Sequence, residues 1–221
     1  TTEIYTLSLH DALPILQNEI EGSKRILEEL AGKISVKRKS VTQNIETRIV
    51  EVLQNIGIPN AQLQLKFNKL EQLNSTGADE VSFMFSANKS QELQEIGRIA
   101  SGGEMSRLML AIKTLVADAR QLPTIIFDEI DTGVSGEVAV KMGQILKQLA
   151  QTVQVLNITH LPQIAAKGKH HYKVYKYDQN EQTYTSIKEL TENERIEEIA
   201  QMLGGENYSA TTMKAAKELL G

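Results

Sequence analysis

From Gln17 to Ile56, apolar side chains fall at Ile20, Leu27, Leu30, Ile34, Val41, Ile45, Ile49, Val52 and Ile56, mostly three, four or seven residues apart. That spacing is the period of one helix face. A single helix of this extent is roughly 60 Å long at 1.5 Å per residue. A small globular domain has no room for such a rod, and most intervening positions are charged or polar, so the stretch predicts a coiled-coil arm leading into a separate head. Gly57 and Pro59 supply its stop, glycine by accepting the left-handed cap and proline by lacking an amide hydrogen.

The head must then be built from the residues beyond Gly57. The whole chain has 221 residues, 41% of them hydrophobic and 24% charged, which is enough for one proper core. A formal net charge of -4 gives no global basic signal for nucleic acid. The absence of cysteine excludes disulfides, thiolate chemistry and cysteine zinc sites. No apolar run approaches the roughly 20 residues that span a bilayer, and a cytoplasmic setting without membrane contact is expected. "TTEIYTLSLHDALPI", residues 1–15, resembles the translation of a common sequencing-library adapter, so His10 and Asp11 are not taken as site candidates. The expected organisation is artefactual sequence over 1–15, an arm helix over 16–57 and an α/β lobe over 58–221.

Within the lobe, "AQLQLKF" (61–67) and "EVSFMFSA" (80–87) alternate as half-buried strands do, with Asn74, Ser75 and Gly77 between them as turn residues. Glu104 to about Arg120 carries a helical stripe of Met105, Leu108, Met109, Ile112, Leu115 and Val116. "TIIF" then predicts a short buried strand, Gly136 to Ala150 a helix, and "VQVLNIT" (153–159) a second buried strand. Strand, helix, strand in that order predicts a parallel sheet with a crossover connection. "HHYKVYKYD" and "QTYTSIKEL" pair as a hairpin around Asn180. A helix opened by the capping box Thr191 to Glu194 comes next, closed by Gly204 and Gly205, and a last helix starts near Ser209.

Chemistry concentrates at three places. "TIIFDE" ends an apolar strand in Asp128 and Glu129, where open parallel sheets place their ligands. One carboxylate there can hold Mg²⁺ while its neighbour orients or deprotonates a water; taken alone, an acidic pair after a strand is also an ordinary loop start. "ASGGEMSR" puts Ser101, Gly102 and Gly103 directly before a helix, so that backbone amides and a hydroxyl can meet an anion. Glu104 suits the first turn of that helix on dipole grounds alone. His160 comes directly after "VLNIT" and can reach the same crevice. His170 and His171 read as solvent-facing strand residues, with no carboxylate or cysteine spaced to complete a metal site.

Taken together, "SGGE" before a helix, an apolar strand plus "DE", then "DTGVSG", then an apolar strand plus "TH" resembles the second half of an ATP-binding-cassette head of the kind used by SMC-like chromosome-maintenance and recombination ATPases. The resemblance runs over about residues 17–221. It implies the C-terminal half of such a head, an α/β lobe with a parallel sheet flanked by helices, preceded by a returning coiled-coil arm. It further implies that Ser101, Gly102, Gly103 and Glu104 form the signature motif, which contacts the γ-phosphate of ATP bound mainly by an opposing head. Asp128 is implied as the Walker B Mg²⁺ residue, Glu129 as the general base, Asp131 as the start of the D-loop that couples two heads, and His160 as the switch histidine.

ATP and Mg²⁺ are the implied cofactors. The implied partners are DNA, a second copy through heads and coiled coil, and an N-terminal half carrying the Walker A loop. Nucleoid association, DNA repair and recombination are implied for the parent protein. No G-x-x-x-x-G-K-[ST] occurs in the chain: Gly32-Lys33 precedes Ile34, and Gly168-Lys169 precedes His170. Without that loop the β and γ phosphates lose their main cradle, so a chain starting on the returning arm is expected to be inactive by itself. Lys33, Lys37, Arg38 and Lys39 form a basic cluster suited either to phosphate contact or to a solvated arm face. The alternative from a different class is a non-catalytic coiled-coil dimerisation module in which the carboxylates are structural.

Overall fold

The computed structural model describes residues 9–99, 101–120, 122–128, 130–180 and 182–221, of residues 9–11 and 118 the backbone alone. The arm is one helix, α1 (Leu9–Asn55), 47 residues long. It begins earlier than the apolar period suggests and runs without interruption through residues 9–15. Its end is built as the sequence predicts. Gly57 adopts φ +85°, the amide of Ile58 reaches back to the carbonyl of Leu53 at 2.9 Å, and Pro59 comes two residues later. A second requirement also fixes glycine there, since a Cβ would lie 2.7 Å from Val138 Cγ2.

The head starts with an antiparallel pair, β1 (Gln62–Asn74) and β2 (Gly77–Ser86), in a register that faces Leu63 with Phe85 and Leu65 with Phe83. Both strands run further than their alternating cores, because the arm lies alongside and gives the distal half something to hold. Ser35 donates its hydroxyl hydrogen to Asp79, Arg38 donates to the carbonyl of Thr76 at 2.8 Å, and the Arg38 guanidinium lies 3.8 Å from Asp79. Nearer the base, Glu46 accepts the amide of Leu65 at 2.6 Å. A two-residue strand, β3 (Gln94–Glu95), adds to β2.

The core sits where arm and lobe meet. Ile49, Leu53 and Ile56 of the arm base pack with Leu108, Leu110, Ala111 and Ala117 of α2 (Gly102–Arg120), with Ile125 and Phe127 of β4 (Thr124–Asp128), and with Ala139, Met142 and Leu146 of α3 (Gly136–Leu149). The stripe expected on α2 is shifted by part of a turn, so that Leu110 is buried while Val116 is 40% exposed. Strands β4 and β5 (Gln154–Ile158) pair in parallel, Thr124 beside Gln154 and Asp128 beside Ile158, with α3 as the crossover. Parallel strands are ordinarily apolar because both their faces are covered. Here Ile126, Leu156 and Ile158 are all about half exposed on the outer face.

A short helix not foreseen from the sequence, α4 (Pro162–Ala165), turns the chain after β5. The hairpin of β6 (Tyr172–Gln179) and β7 (Gln182–Glu189) then turns at Asn180, whose φ of +52° suits asparagine. Helices α5 (Glu192–Gly204) and α6 (Ala210–Leu220) form a second small core with Ile199, Ala200, Ala216 and Ala166. The hairpin is tied to α5 by Lys173 to Glu198 and Lys188 to Glu194. His170 pairs with Glu189 at 2.8 Å and stays exposed. His171 differs from the solvent-facing expectation, being half-buried, and burial followed by the nearby Arg195 charge lowers its pKa. Among the described residues no helix is long and apolar enough to cross a membrane.

Candidate functional site

The loop entering α2 is capped by Ser101, whose hydroxyl accepts the Glu104 amide at 3.4 Å while its carbonyl accepts Met105 N–H at 3.1 Å. The two glycines after it do different things. Among the described residues a Cβ on Gly102 would meet nothing within 4 Å, so they leave the space above that backbone open. A Cβ on Gly103 would lie 3.0 Å from the carbonyl oxygen of Thr132 and 3.9 Å from Gly133. The second glycine therefore seats the "SGGE" loop against the "DTGVSG" turn, where Gly133 and Gly136 take φ of +70° and +57°. Glu104 is half-buried in the first turn of α2.

Arg107 is a residue that sequence reasoning passed over. Its Nε donates to the carbonyl of Gly103 at 2.9 Å, and its terminal nitrogen donates to the carbonyls of Gly57 and Ile56 at 3.3 and 3.4 Å. One guanidinium thus joins the C-terminal end of the arm to the glycine loop. A planar fork with several donors suits that task better than a lysine ammonium. Only the i, i+4 spacing from Gly103 hinted at it.

Parallel pairing brings Asp128 and the segment after Ile158 to the same edge of the sheet. Asp128 is exposed there. Glu129 lies outside the described residues. The His160 side chain is 66% exposed, with Nδ1 3.5 Å from Oδ1 of Asp131. Asp131 itself is fully buried. It accepts the Thr159 hydroxyl hydrogen on Oδ2, and its carbonyl accepts Val134 N–H at 3.0 Å. Thr159 in turn accepts the amide of Leu161 at 3.0 Å. The turn after β4 and the turn after β5 are hence braced together beneath the edge, and Thr159 is a second residue that the sequence did not single out. Lys113 of α2 reaches under β4, donating to the carbonyl of Ile126 at 3.4 Å and lying 5.2 Å from the centre of the Phe127 ring. Among the described residues no three histidine, aspartate or glutamate side chains are grouped to hold a metal.

The basic cluster on the arm is divided in its contacts. Lys33 pairs with Glu29 at 2.5 Å along the helix, Arg38 is engaged with Thr76 and Asp79, and Lys39 lies 5.9 Å over the Phe67 ring. These contacts give three members of the cluster structural work along the arm and at its junction with the head.

No protein-family model matches the chain. A protein of Rickettsia conorii named DNA repair protein RecN is 40% identical over 207 residues, which is 92% of this chain and 38% of that protein. This chain is RecN-like. Proteins of the same name from Haemophilus influenzae and Deinococcus radiodurans are 35% and 36% identical, over 91% and 93% of the chain. The RecN-like chain spans about two fifths of the length of these relatives, 38%, 37% and 36% respectively. The match agrees with a C-terminal part.

Its fold is that of part of an SMC head. The crystal structure of an Smc head domain with a coiled coil and joint, from Pyrococcus yayanosii, superposes with a TM-score of 0.57 over 86% of the RecN-like chain and 36% of its own, at 16% identity. An Smc head with an extended coiled coil from Pyrococcus furiosus, bound to the C-terminal domain of ScpA, gives 0.54 over 87% of the RecN-like chain and 47% of its own, also at 16% identity. The expected part of an α/β ATP-binding-cassette head preceded by an arm helix is thereby borne out.

Proposed function

We propose that this chain is the signature, Walker B and switch-histidine lobe of a RecN-like ATPase, whose parent hydrolyses ATP between two heads and acts on DNA in double-strand-break repair and recombination. The observation that carries this reading is the shared edge. Parallel pairing sets Asp128 beside Ile158 and so brings the His160 loop to it, while Gly103 packs the "SGGE" loop onto the adjoining turn. The proposed division is residues 1–15 as artefactual sequence, 16–57 as the returning arm and 58–221 as the lobe.

The residues fit the groups implied. Asp128 presents an exposed carboxylate at the C-terminal end of a strand, and oxygen donors are what Mg²⁺ selects. Mg²⁺ would supply charge neutralisation at phosphate oxygens. Exposed Ser101, open Gly102 and their place at the start of α2 suit the γ-phosphate of a nucleotide held by an opposing head. Glu104 completes that motif, and His160 faces the same edge. Glu129, next after Asp128, is assigned as general base. Asp131 leads the turn that would couple two heads. Homodimerisation through heads and arm, DNA as a partner and a nucleoid setting belong to the same proposal.

The chain has no G-x-x-x-x-G-K-[ST] segment, and it is expected not to turn over ATP unless one is supplied. The test is to assay ATP hydrolysis by the purified chain alone and together with the P-loop half of a RecN-like protein. Hydrolysis is expected only in the mixture, and it should be lost with Glu129→Gln and with Ser101→Arg. Activity that survives both substitutions would sink the enzymatic reading and leave the dimerisation module in its place.

A further inference from the structure

We propose that Asp131 is a positioning residue for His160, holding the imidazole proton on Nδ1 and leaving Nε2 as the unprotonated atom turned toward the sheet edge. The two oxygens of this buried carboxylate are unequally served. Oδ2 takes the Thr159 hydroxyl hydrogen, whereas Oδ1 is buried without a hydrogen bond among the described residues. A buried polar atom in that condition is costly. The donor in reach is Nδ1 of His160, 3.5 Å away, just beyond ordinary hydrogen-bond length.

Which partner moves is decided by burial. Asp131 has no exposed surface and is held through its own backbone and by Thr159, while the His160 side chain is 66% exposed. Rotation of the imidazole closes the gap. A carboxylate only accepts, so closure requires hydrogen on Nδ1, and in neutral imidazole that leaves Nε2 as an acceptor. The Thr159 hydroxyl adds precision, because it gives its hydrogen to Asp131 and accepts the Leu161 amide at 3.0 Å, pinning the backbone on both sides of His160. The inference rests on the ATP-site reading only for what Nε2 finally meets; the tautomer itself needs no nucleotide.

The test is nitrogen NMR of the full chain labelled with ¹⁵N-histidine, without nucleotide, at about pH 8, above the usual histidine range. His160 is identified by the signals missing in His160→Gln. The expected spectrum has Nδ1 at the protonated-nitrogen position and Nε2 at the unprotonated one, the reverse of the mixture dominated by Nε2–H in free histidine. In Asp131→Asn, the isosteric amide can still accept from Thr159 but now offers N–H to Nδ1, so the two resonances should exchange positions. A wild-type spectrum resembling free histidine, or an unchanged spectrum in a folded Asp131→Asn, overturns the proposal. Should that variant fail to fold, the wild-type spectrum decides alone. Because no ATP is present, the outcome is independent of whether the hydrolysis assay succeeds.

Discussion

The two ends of the arm carry the same apolar period and meet opposite fates. At the base, Ile49 and Leu53 are 1% and 0% exposed, while further out Ile20, Leu27 and Leu30 are 52%, 54% and 50% exposed. Periodicity says which face of a helix can be buried. Whether it is buried depends on a partner, and along this helix α2 and the β1–β2 hairpin supply one only for the proximal part. The outer face of β4–β5 repeats the point, with Ile126 and Ile158 as apolar as Ile125 yet far more exposed.

The largest effect that can break this comparison is in the base. Leu53→Ala should destabilise the chain by about 2–5 kcal/mol in urea unfolding, as a fully buried leucine does when truncated. Leu27→Ala should stay within about 0.5 kcal/mol, as for an exposed position. Equal losses would show that the distal arm is covered after all. The middle of the arm tests the boundary between the two regimes. Asp79→Ala removes the acceptor of Ser35 and the counter-charge of Arg38, and should cost about 1–3 kcal/mol. Amide exchange should then accelerate around residues 31–42 before it changes at 49–55.

A finer contrast separates the neighbouring glycines. Gly103→Ala should cost about 1–3 kcal/mol through its clash with the Thr132 carbonyl, whereas Gly102→Ala, with open space, should be neutral within measurement by thermal melting. The smallest effect lies at the start of α5. Glu194 has its pKa lowered to about 2, first by the Lys188 hydrogen bond and then by the backbone N–H and hydroxyl of Thr191. A carboxylate depressed on folding contributes stability above its ordinary pKa of 4.5 and loses it as pH falls toward 2. The first turn of α5 should therefore loosen between those values in residue-resolved NMR, and Glu194→Gln should remove that pH dependence.

Much of the fold was legible because its signals are local. The Gly57 stop, the Thr191 cap, the Asn180 turn and the strand–helix–strand order each come from residues adjacent in sequence. The small helix α4 was missed because four residues carry no period. The full length of β1 and β2 was missed because it depends on Asp79 meeting Ser35 and Arg38 across the chain. Of the candidate site, Ser101, Gly102, Gly103, Asp128 and His160 are legible as candidates from residue type beside a predicted strand or helix end. Arg107 and Thr159 escaped for a different reason: their partners are backbone carbonyls and a buried carboxylate, which leave no pattern in the sequence. For Gly103 the sequence suggests phosphate contact, and what the structure gives is a packing reason, the approach to the Thr132 carbonyl.

Arg107 also makes the arm a mechanical element. A helix of 47 residues is a rod of about 70 Å at 1.5 Å per residue, and the Ile56 and Gly57 carbonyls just past its end are gripped by the same side chain that holds the carbonyl of Gly103. Any swing at the far end would be levered on a base whose exit and glycine loop share that one guanidinium.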